Sequence, residues 1–154
     1  MNTLFAITTI AALTMGAPVE ESEVIKLSLP KEVSANATVA ATVTVIIPEG
    51  WHAYQNPPLD KFQQPITITS PDKNVVIKGV KYPKGHVMDS FGKKAAVYEG
   101  TIKIPVSVVF KKPGKQTAEF KVLYMQCNDS TCMPPKFVKI TAPVTVKAAK
   151  TKGG

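Results

Sequence analysis

The alternation of apolar and polar residues with a period of two is the feature that most constrains the fold of this chain. It is clearest in residues 101–110, where branched apolar side chains occupy every second position: Ile102, Ile104, Val106 and Val108. In an extended chain such side chains share one face of a strand. Shorter runs of strand-forming residues, bounded by turn residues, lie at 24–29, 37–47, 51–54, 66–70, 75–82, 119–126, 137–140 and 144–146.

Prolines separate most of these runs, and no segment has the spacing of an amphipathic helix. The chain holds 13 prolines, and proline neither continues a helix nor donates to a strand ladder. Pro105 lies inside the run 101–110, which predicts that this strand is at a sheet edge there. About eight or nine short strands joined by turns predict an all-β fold, an immunoglobulin-like two-sheet β-sandwich.

The chain divides into a targeting segment, one domain and a tail. Residues 1–16 resemble a signal peptide, with an apolar stretch at 4–13 and small residues before a cut at Ala17. A buried first strand or helix is the alternative. Residues 17–23 form a short polar lead, 24–146 the sandwich and 147–154 a polar tail. The longest apolar run is too short for a membrane span.

The basic charge does not indicate nucleic-acid binding. The formal net charge is +8, and all 19 basic residues are lysines. Planar, two-pronged recognition of phosphate or guanine relies on arginine, which this sequence lacks. The scattered lysines favour solubility and weak steering towards acidic partners.

The two cysteines lie together in one polar turn. Cys127 ends a strand run, four polar residues follow, and Cys132 precedes Pro134 and Pro135. A disulfide here closes a small ring and adds only about 2 kcal/mol to the free energy of unfolding in the chain-entropy model. It would therefore stabilise the fold weakly. Exchange chemistry needs one reachable sulfur and a second thiol nearby. From the residues alone, a structural bridge and a redox pair both stay open.

Two further classes of function use the same segment. Soft sulfur ligands suit Cu(I), which makes a copper site an alternative, with these candidate ligands: Met125, Cys127, Cys132 and Met133, completed by His52, His86 or Met88. The other alternative is a disulfide-stabilised interaction module without redox cycling.

The remaining polar residues of note have ordinary interpretations. His52 and His86 are predicted to be surface residues on loops, and Asp129 to cap its own turn. Trp51 is predicted to pack in the core or beside the site.

The cysteine segment resembles the N-terminal periplasmic domain of the thiol:disulfide interchange protein DsbD. The resemblance covers about residues 24–146 and depends on the order of several short motifs. They are Tyr124-x-x-Cys127, Cys132 and Pro134-Pro135, preceded by Pro48-Glu-Gly-Trp-His-Ala-Tyr54, Asn56-Pro57, Tyr82-Pro83 and Tyr98-Glu-Gly100.

The resemblance implies a site with assigned roles. Cys132 would be the sulfur that a partner attacks, and Cys127 the resolving thiol. Tyr54 and Tyr124 would line the site. The stretch Asp89-Ser-Phe-Gly92 would be a cap with Phe91 over the disulfide.

The resemblance also implies a setting for this chemistry. We expect a periplasmic thiol–disulfide relay that needs no cofactor, with thioredoxin-like or other periplasmic thiol proteins as donor and acceptor. Because the sequence ends after the sandwich, the electron donor is expected to be a separate protein.

Overall fold

The computed structural model describes residues 24–150, and the fold they form is built from β-strands. The strands are β1 Ile25–Ser28, β2 Glu32–Ser34, β3 Thr38–Ile47, β4 His52–Tyr54, β5 Thr67–Thr69, β6 Val75–Val80, β7 His86–Ser90, β8 Lys93–Tyr98, β9 Gly100–Phe110, β10 Gly114–Tyr124, β11 Gln126–Cys127 and β12 Lys136–Lys147. The predicted signal peptide, the polar lead at 17–23 and the last four tail residues lie outside the described residues. Within 24–150, no helix is long and apolar enough to cross a bilayer.

Two four-stranded sheets form the sandwich. Their strand orders are β1-β3-β9-β6 and β2-β12-β10-β5, and every neighbouring pair is antiparallel except β12 with β2. Alternate residues of the long strands point inward and form one shared core, for example Val43, Val45, Val108, Phe120 and Val122. The predicted all-β, immunoglobulin-like fold is confirmed, and the period-two pattern identified the inward faces correctly.

Prolines occur inside two long strands, β9 and β12. β9 as a whole lies between β3 and β6, but its ladder to β6 covers only Val106–Phe110, so Pro105 lies where β9 becomes a sheet edge, as predicted. The ladder to β6 ends at the pair Val80–Val106, and the Pro105 carbonyl accepts a hydrogen bond from the Lys81 amide. Pro105 has no amide hydrogen to donate, and it lies at the point where the pairing with β6 ends. The runs 137–140 and 144–146, predicted as separate strands, instead belong to one strand, β12, which runs through Pro143.

A third sheet, in the order β11-β4-β8-β7, was not predicted from the sequence. One of its faces packs on the sandwich, because Ala53 and Tyr98 belong to the main core. Its β7–β8 hairpin turns at Phe91 and Gly92, which have φ angles of 51° and 75°. Two consecutive positive φ angles are typical of a two-residue type I′ turn. The third sheet carries the cysteine segment.

The entry into β7 depends on a glycine, which gives a test of the third sheet. A Cβ added at Gly85 would overlap the backbone oxygen of Val97, in β8. We expect Gly85→Ala to lower the free energy of unfolding by about 1–3 kcal/mol, the usual cost of overpacking. Gly79→Ala is the matched control, because a methyl group there would have nothing within 4 Å. Urea unfolding of the oxidised proteins measures both, and equal stability of the two variants would contradict this packing.

Candidate functional site

Cys127 and Cys132 form a disulfide across a tight turn. The turn is closed by backbone hydrogen bonds from Asn128 N to Thr131 O at 2.9 Å and from Met133 N to Gln126 O at 2.8 Å. The Asn128 side-chain oxygen accepts from the amides of Ser130 and Thr131 at 2.9 and 2.8 Å. These bonds hold the two cysteines opposite one another as an antiparallel bridge.

The turn is capped by Asn128, and the prediction that Asp129 caps it is wrong. Asp129 is exposed. The side chain that caps such a turn belongs to its first residue, because the amides two and three positions later point back towards it. Asn128 holds that first position.

The two sulfurs differ in their surroundings. Cys127 is paired with β4 and is 0% exposed. Cys132 lies on the returning limb and is partly exposed, with exposed neighbours at Thr131 and Met133. Cys132 is therefore the more exposed residue of the pair, whereas Cys127 is fully buried.

The three residues of β4 face alternately towards the main core and towards the disulfide. Ala53 belongs to the main core, so His52 and Tyr54 project from the opposite face of the sheet. Tyr54 packs there in a second buried cluster with Cys127, Ala95 and Val97. Cys132 and two methionines, Met88 and Met125, pack against this cluster.

His52 is part of this buried layer, which corrects its prediction as a surface residue on a loop. It is only 3% exposed, and its ring meets the Tyr54 ring edge-on at a centroid distance of 5.8 Å. Sequence reasoning missed its burial because a single polar residue in a three-residue strand carries no periodic signal. His86 also lies in a strand, β7, and is exposed beside Glu99 at 3.3 Å.

Ser90 connects the hairpin to this layer and was not identified from the sequence. Its buried hydroxyl lies 3.0 Å from the Tyr54 hydroxyl and 3.4 Å from His52 Nε2. Nothing in the local sequence distinguishes this serine from a turn residue. Its partners are 36 and 38 positions away along the chain.

These contacts require the β7–β8 hairpin to coil back over the site. Ser90 is opposite Lys93 in the β7–β8 ladder, whereas Ala53 is opposite Tyr98. In a flat sheet these two positions on β8 would be about 16 Å apart along the strand. The hydrogen bonds to His52 and Tyr54 therefore bring the hairpin tip above the face that carries Cys127.

The residues predicted to cap the site lie at this tip. Phe91 follows Ser90 and is 58% exposed. It borders an open cavity of about 290 Å³ whose lining includes Tyr54 and Phe62. Asp89 is exposed and pairs with Lys94 at 2.9 Å. Phe91 and Asp89 lie outside the buried cluster around Cys127, and Tyr124 belongs to the main core.

The same geometry bears on the copper alternative. Met88 and Met125 pack beside Cys127, whereas Met133 is exposed. Both cysteine sulfurs are engaged in the disulfide, so neither is a thiolate in this form of the protein. Among residues 24–150, no group of three or more His, Cys, Asp or Glu side chains is arranged to hold a metal ion.

The electrostatics of the site favour a neutral imidazole. Burial lowers the pKa of His52 below its ordinary value of 6.5. The nearby carboxylates of Glu99 and Asp129 oppose this shift, and His86 adds to it. His52 is therefore neutral at pH 7.

Fold and site together define a class: an immunoglobulin-like domain with a cysteine pair arranged for thiol–disulfide chemistry. The particular family follows from comparison with known proteins. The chain belongs to the family described as the N-terminal domain of the thiol:disulfide interchange protein DsbD, whose model matches residues 17–143. Comparison with curated proteins gave no match.

Two solved structures show the same fold. The N-terminal periplasmic domain of ScsB from Proteus mirabilis matches with a TM-score of 0.57 and 12% identity, over 77% of this chain and 44% of that chain. The reduced DsbD N-terminal domain from Neisseria meningitidis matches with a TM-score of 0.52 and 15% identity, over 82% and 90%. This chain thus spans less than half of the Proteus structure and most of the Neisseria domain.

The buried histidine gives a prediction for the pH dependence of stability. Because the pKa of His52 is lower in the folded protein than its ordinary 6.5, the unfolded chain binds more protons just below that pH. The free energy of unfolding should therefore decrease as the pH falls through 6.5 towards the folded-state pKa.

Urea unfolding of the oxidised protein between about pH 5 and pH 8 measures this effect. We expect His52→Gln to abolish the decrease. His86→Gln, which removes the exposed histidine, should retain it. An unchanged pH dependence in His52→Gln would show that His52 is not responsible.

Proposed function

We propose that this protein carries out thiol–disulfide exchange and passes two electrons between partner proteins through Cys127 and Cys132. The observation that carries the proposal is the asymmetry of the pair, with one sulfur buried and the other partly exposed. Exchange needs a reachable sulfur for the mixed disulfide and a second sulfur close enough to resolve it. Family membership supports this chemistry.

The exchange reaction needs no redox group of this protein other than Cys127 and Cys132. In the reduced protein the Cys132 thiolate attacks a partner disulfide, and one partner sulfur leaves as a thiolate. Cys127 then loses its proton, and its sulfur attacks Cys132. The second partner sulfur leaves with its electron pair, so the partner gains two electrons and this protein recovers its disulfide.

The surrounding residues have roles that follow from their positions. Tyr54 packs on Cys127 and would form the floor of the site. Phe91 stands at the tip of the hairpin that Ser90 anchors, and would cover the pair between encounters. Asp89 would steady that hairpin through its ion pair with Lys94. Tyr124 would join the cysteine segment to the main core.

The setting we propose is the periplasm, with export by the N-terminal segment. Donor and acceptor would be thioredoxin-like or other periplasmic thiol proteins. The excess of lysine would favour encounters with acidic partners. In support, the ScsB domain that shares this fold is itself described as periplasmic.

Single-cysteine variants test the assigned roles. Cys127→Ala keeps the reachable sulfur and removes the resolving one, so it should accumulate mixed disulfides with cellular partners. Cys132→Ala leaves only the shielded sulfur and should accumulate far fewer. Non-reducing electrophoresis after acid quenching measures both, with the double variant as background. Equal trapping by the two variants would contradict the roles.

A redox titration separates a working pair from a structural bridge. We expect equilibrium with a glutathione or thioredoxin couple at a midpoint above about −300 mV, the region where structural disulfides of exported proteins begin. A far lower midpoint, or a bond that no reductant opens while the protein stays folded, would favour an interaction module without redox cycling.

A further inference from the structure

His52 is the polar side chain placed directly beside the resolving cysteine. In the β4–β11 ladder, His52 and Cys127 are register partners. Residues directly opposite in an antiparallel pair point to the same face, with Cβ atoms about 4.5–5.5 Å apart. Both residues are buried, at 3% and 0% exposure, so the imidazole and the sulfur share one enclosed space.

Resolution of a mixed disulfide at this position calls for a proton acceptor. The Cys127 thiol must lose its proton before its sulfur can attack Cys132, because the thiolate is the nucleophile. Its neighbours Ala95, Val97 and Tyr54 offer little stabilisation to an anion. Cys127 is 0% exposed in the oxidised protein, so a neighbouring side chain is better placed than bulk water to take the proton.

The contacts of His52 prepare it for this task. Its Nε2 lies 3.4 Å from the Ser90 hydroxyl, which lies 3.0 Å from the Tyr54 hydroxyl. With Nε2–H donating to Ser90, the other ring nitrogen, Nδ1, keeps its lone pair and is the basic site. A hydrogen bond at one ring nitrogen is the usual device that sets the tautomer and orientation of a histidine.

Other ionisable groups near His52 are less suitable acceptors. Glu99 is exposed and paired with His86. Asp129 and His86 are exposed as well. Asp89 and Asp60, on the hairpin and on the loop beside it, are paired with Lys94 and Lys93.

We propose that His52, positioned by Ser90, accepts the proton of the Cys127 thiol when the mixed disulfide is resolved. The inference rests on the proposed exchange function. The Cys127 S–H bond breaks and the proton moves to Nδ1. The sulfur bonds to Cys132, the bond between Cys132 and the partner breaks, and the partner thiolate receives a proton from the imidazolium or from solvent.

Rapid mixing of the reduced full chain with a chromogenic aryl disulfide separates the two steps. The second-order phase reports attack by Cys132 and releases the first aryl thiolate. The following first-order phase reports resolution by Cys127 and releases the second. We expect His52→Gln to slow the second phase at least about tenfold at pH 7, towards the low end of general-base effects. The first phase should stay within about twofold.

The pH profile distinguishes proton acceptance from a merely structural role. In the wild type, the second phase should lose rate as the pH falls and the imidazole becomes protonated. In His52→Gln this inflection should disappear, leaving a rate that rises tenfold per pH unit as the thiol ionises. An unchanged second phase and profile in His52→Gln would overturn the proposal.

Matched variants control for misfolding caused by the substitution of a buried residue. Ser90→Ala keeps the imidazole but removes its partner and should slow the second phase several-fold, whereas Ser90→Thr keeps the hydroxyl and should restore it. His86→Gln should leave both phases near wild type. An equal slowing in Ser90→Ala and Ser90→Thr would also count against the proposal. If even the wild type fails to react in the first phase, the exchange function itself fails, which is a separate result.

Discussion

The pairing of the short strand β4 with two neighbours is the constraint on which the site depends. β4 pairs with β11 on one side and with β8 on the other. Its alternation sends Ala53 into the main core and leaves His52 and Tyr54 on the opposite face. A shift of one residue in this pairing register would turn each side chain of β4 to the opposite face of the sheet. The same ladder that attaches the third sheet to the sandwich therefore puts a histidine and a tyrosine beside the disulfide.

The sandwich and the disulfide have separate tasks. The shared core of the two larger sheets contains the largest buried side chains, among them Phe110 and Phe120. The small ring closed by Cys127 and Cys132 contributes only about 2 kcal/mol in the chain-entropy model. Since the shared core does not depend on this bond, we expect the fold to persist in both oxidation states. A relay needs this independence, because the folded surface must be present before and after each exchange.

The tip of the β7–β8 hairpin is joined to β4 through one buried hydroxyl. Ser90 bonds both His52 and Tyr54, and Phe91 is the next residue. Moving the hairpin tip away from β4 would break these bonds. On the outer side, Lys93 pairs with Asp60 at 2.8 Å. The hairpin is thus held at its tip by the buried Ser90 hydroxyl and by a solvent-facing ion pair.

The sequence by itself determined the inward faces of the long strands, the turn between the cysteines and, through the DsbD resemblance, the fold and the family. These features depend on local alternation, on turn residues and on motif order. The tertiary structure alone decided the burial of His52, the role of Ser90, the continuity of β12 through Pro143 and the coiling of the β7–β8 hairpin. Each of these arises from pairing between segments far apart in the chain. Residues 86–98 show no period-two pattern, because Ala95–Tyr98 of β8 are buried on both faces of the sheet and Ser90 is buried through its contacts with β4. Long-range pairing and sheet coiling set those contacts, and a single sequence records neither.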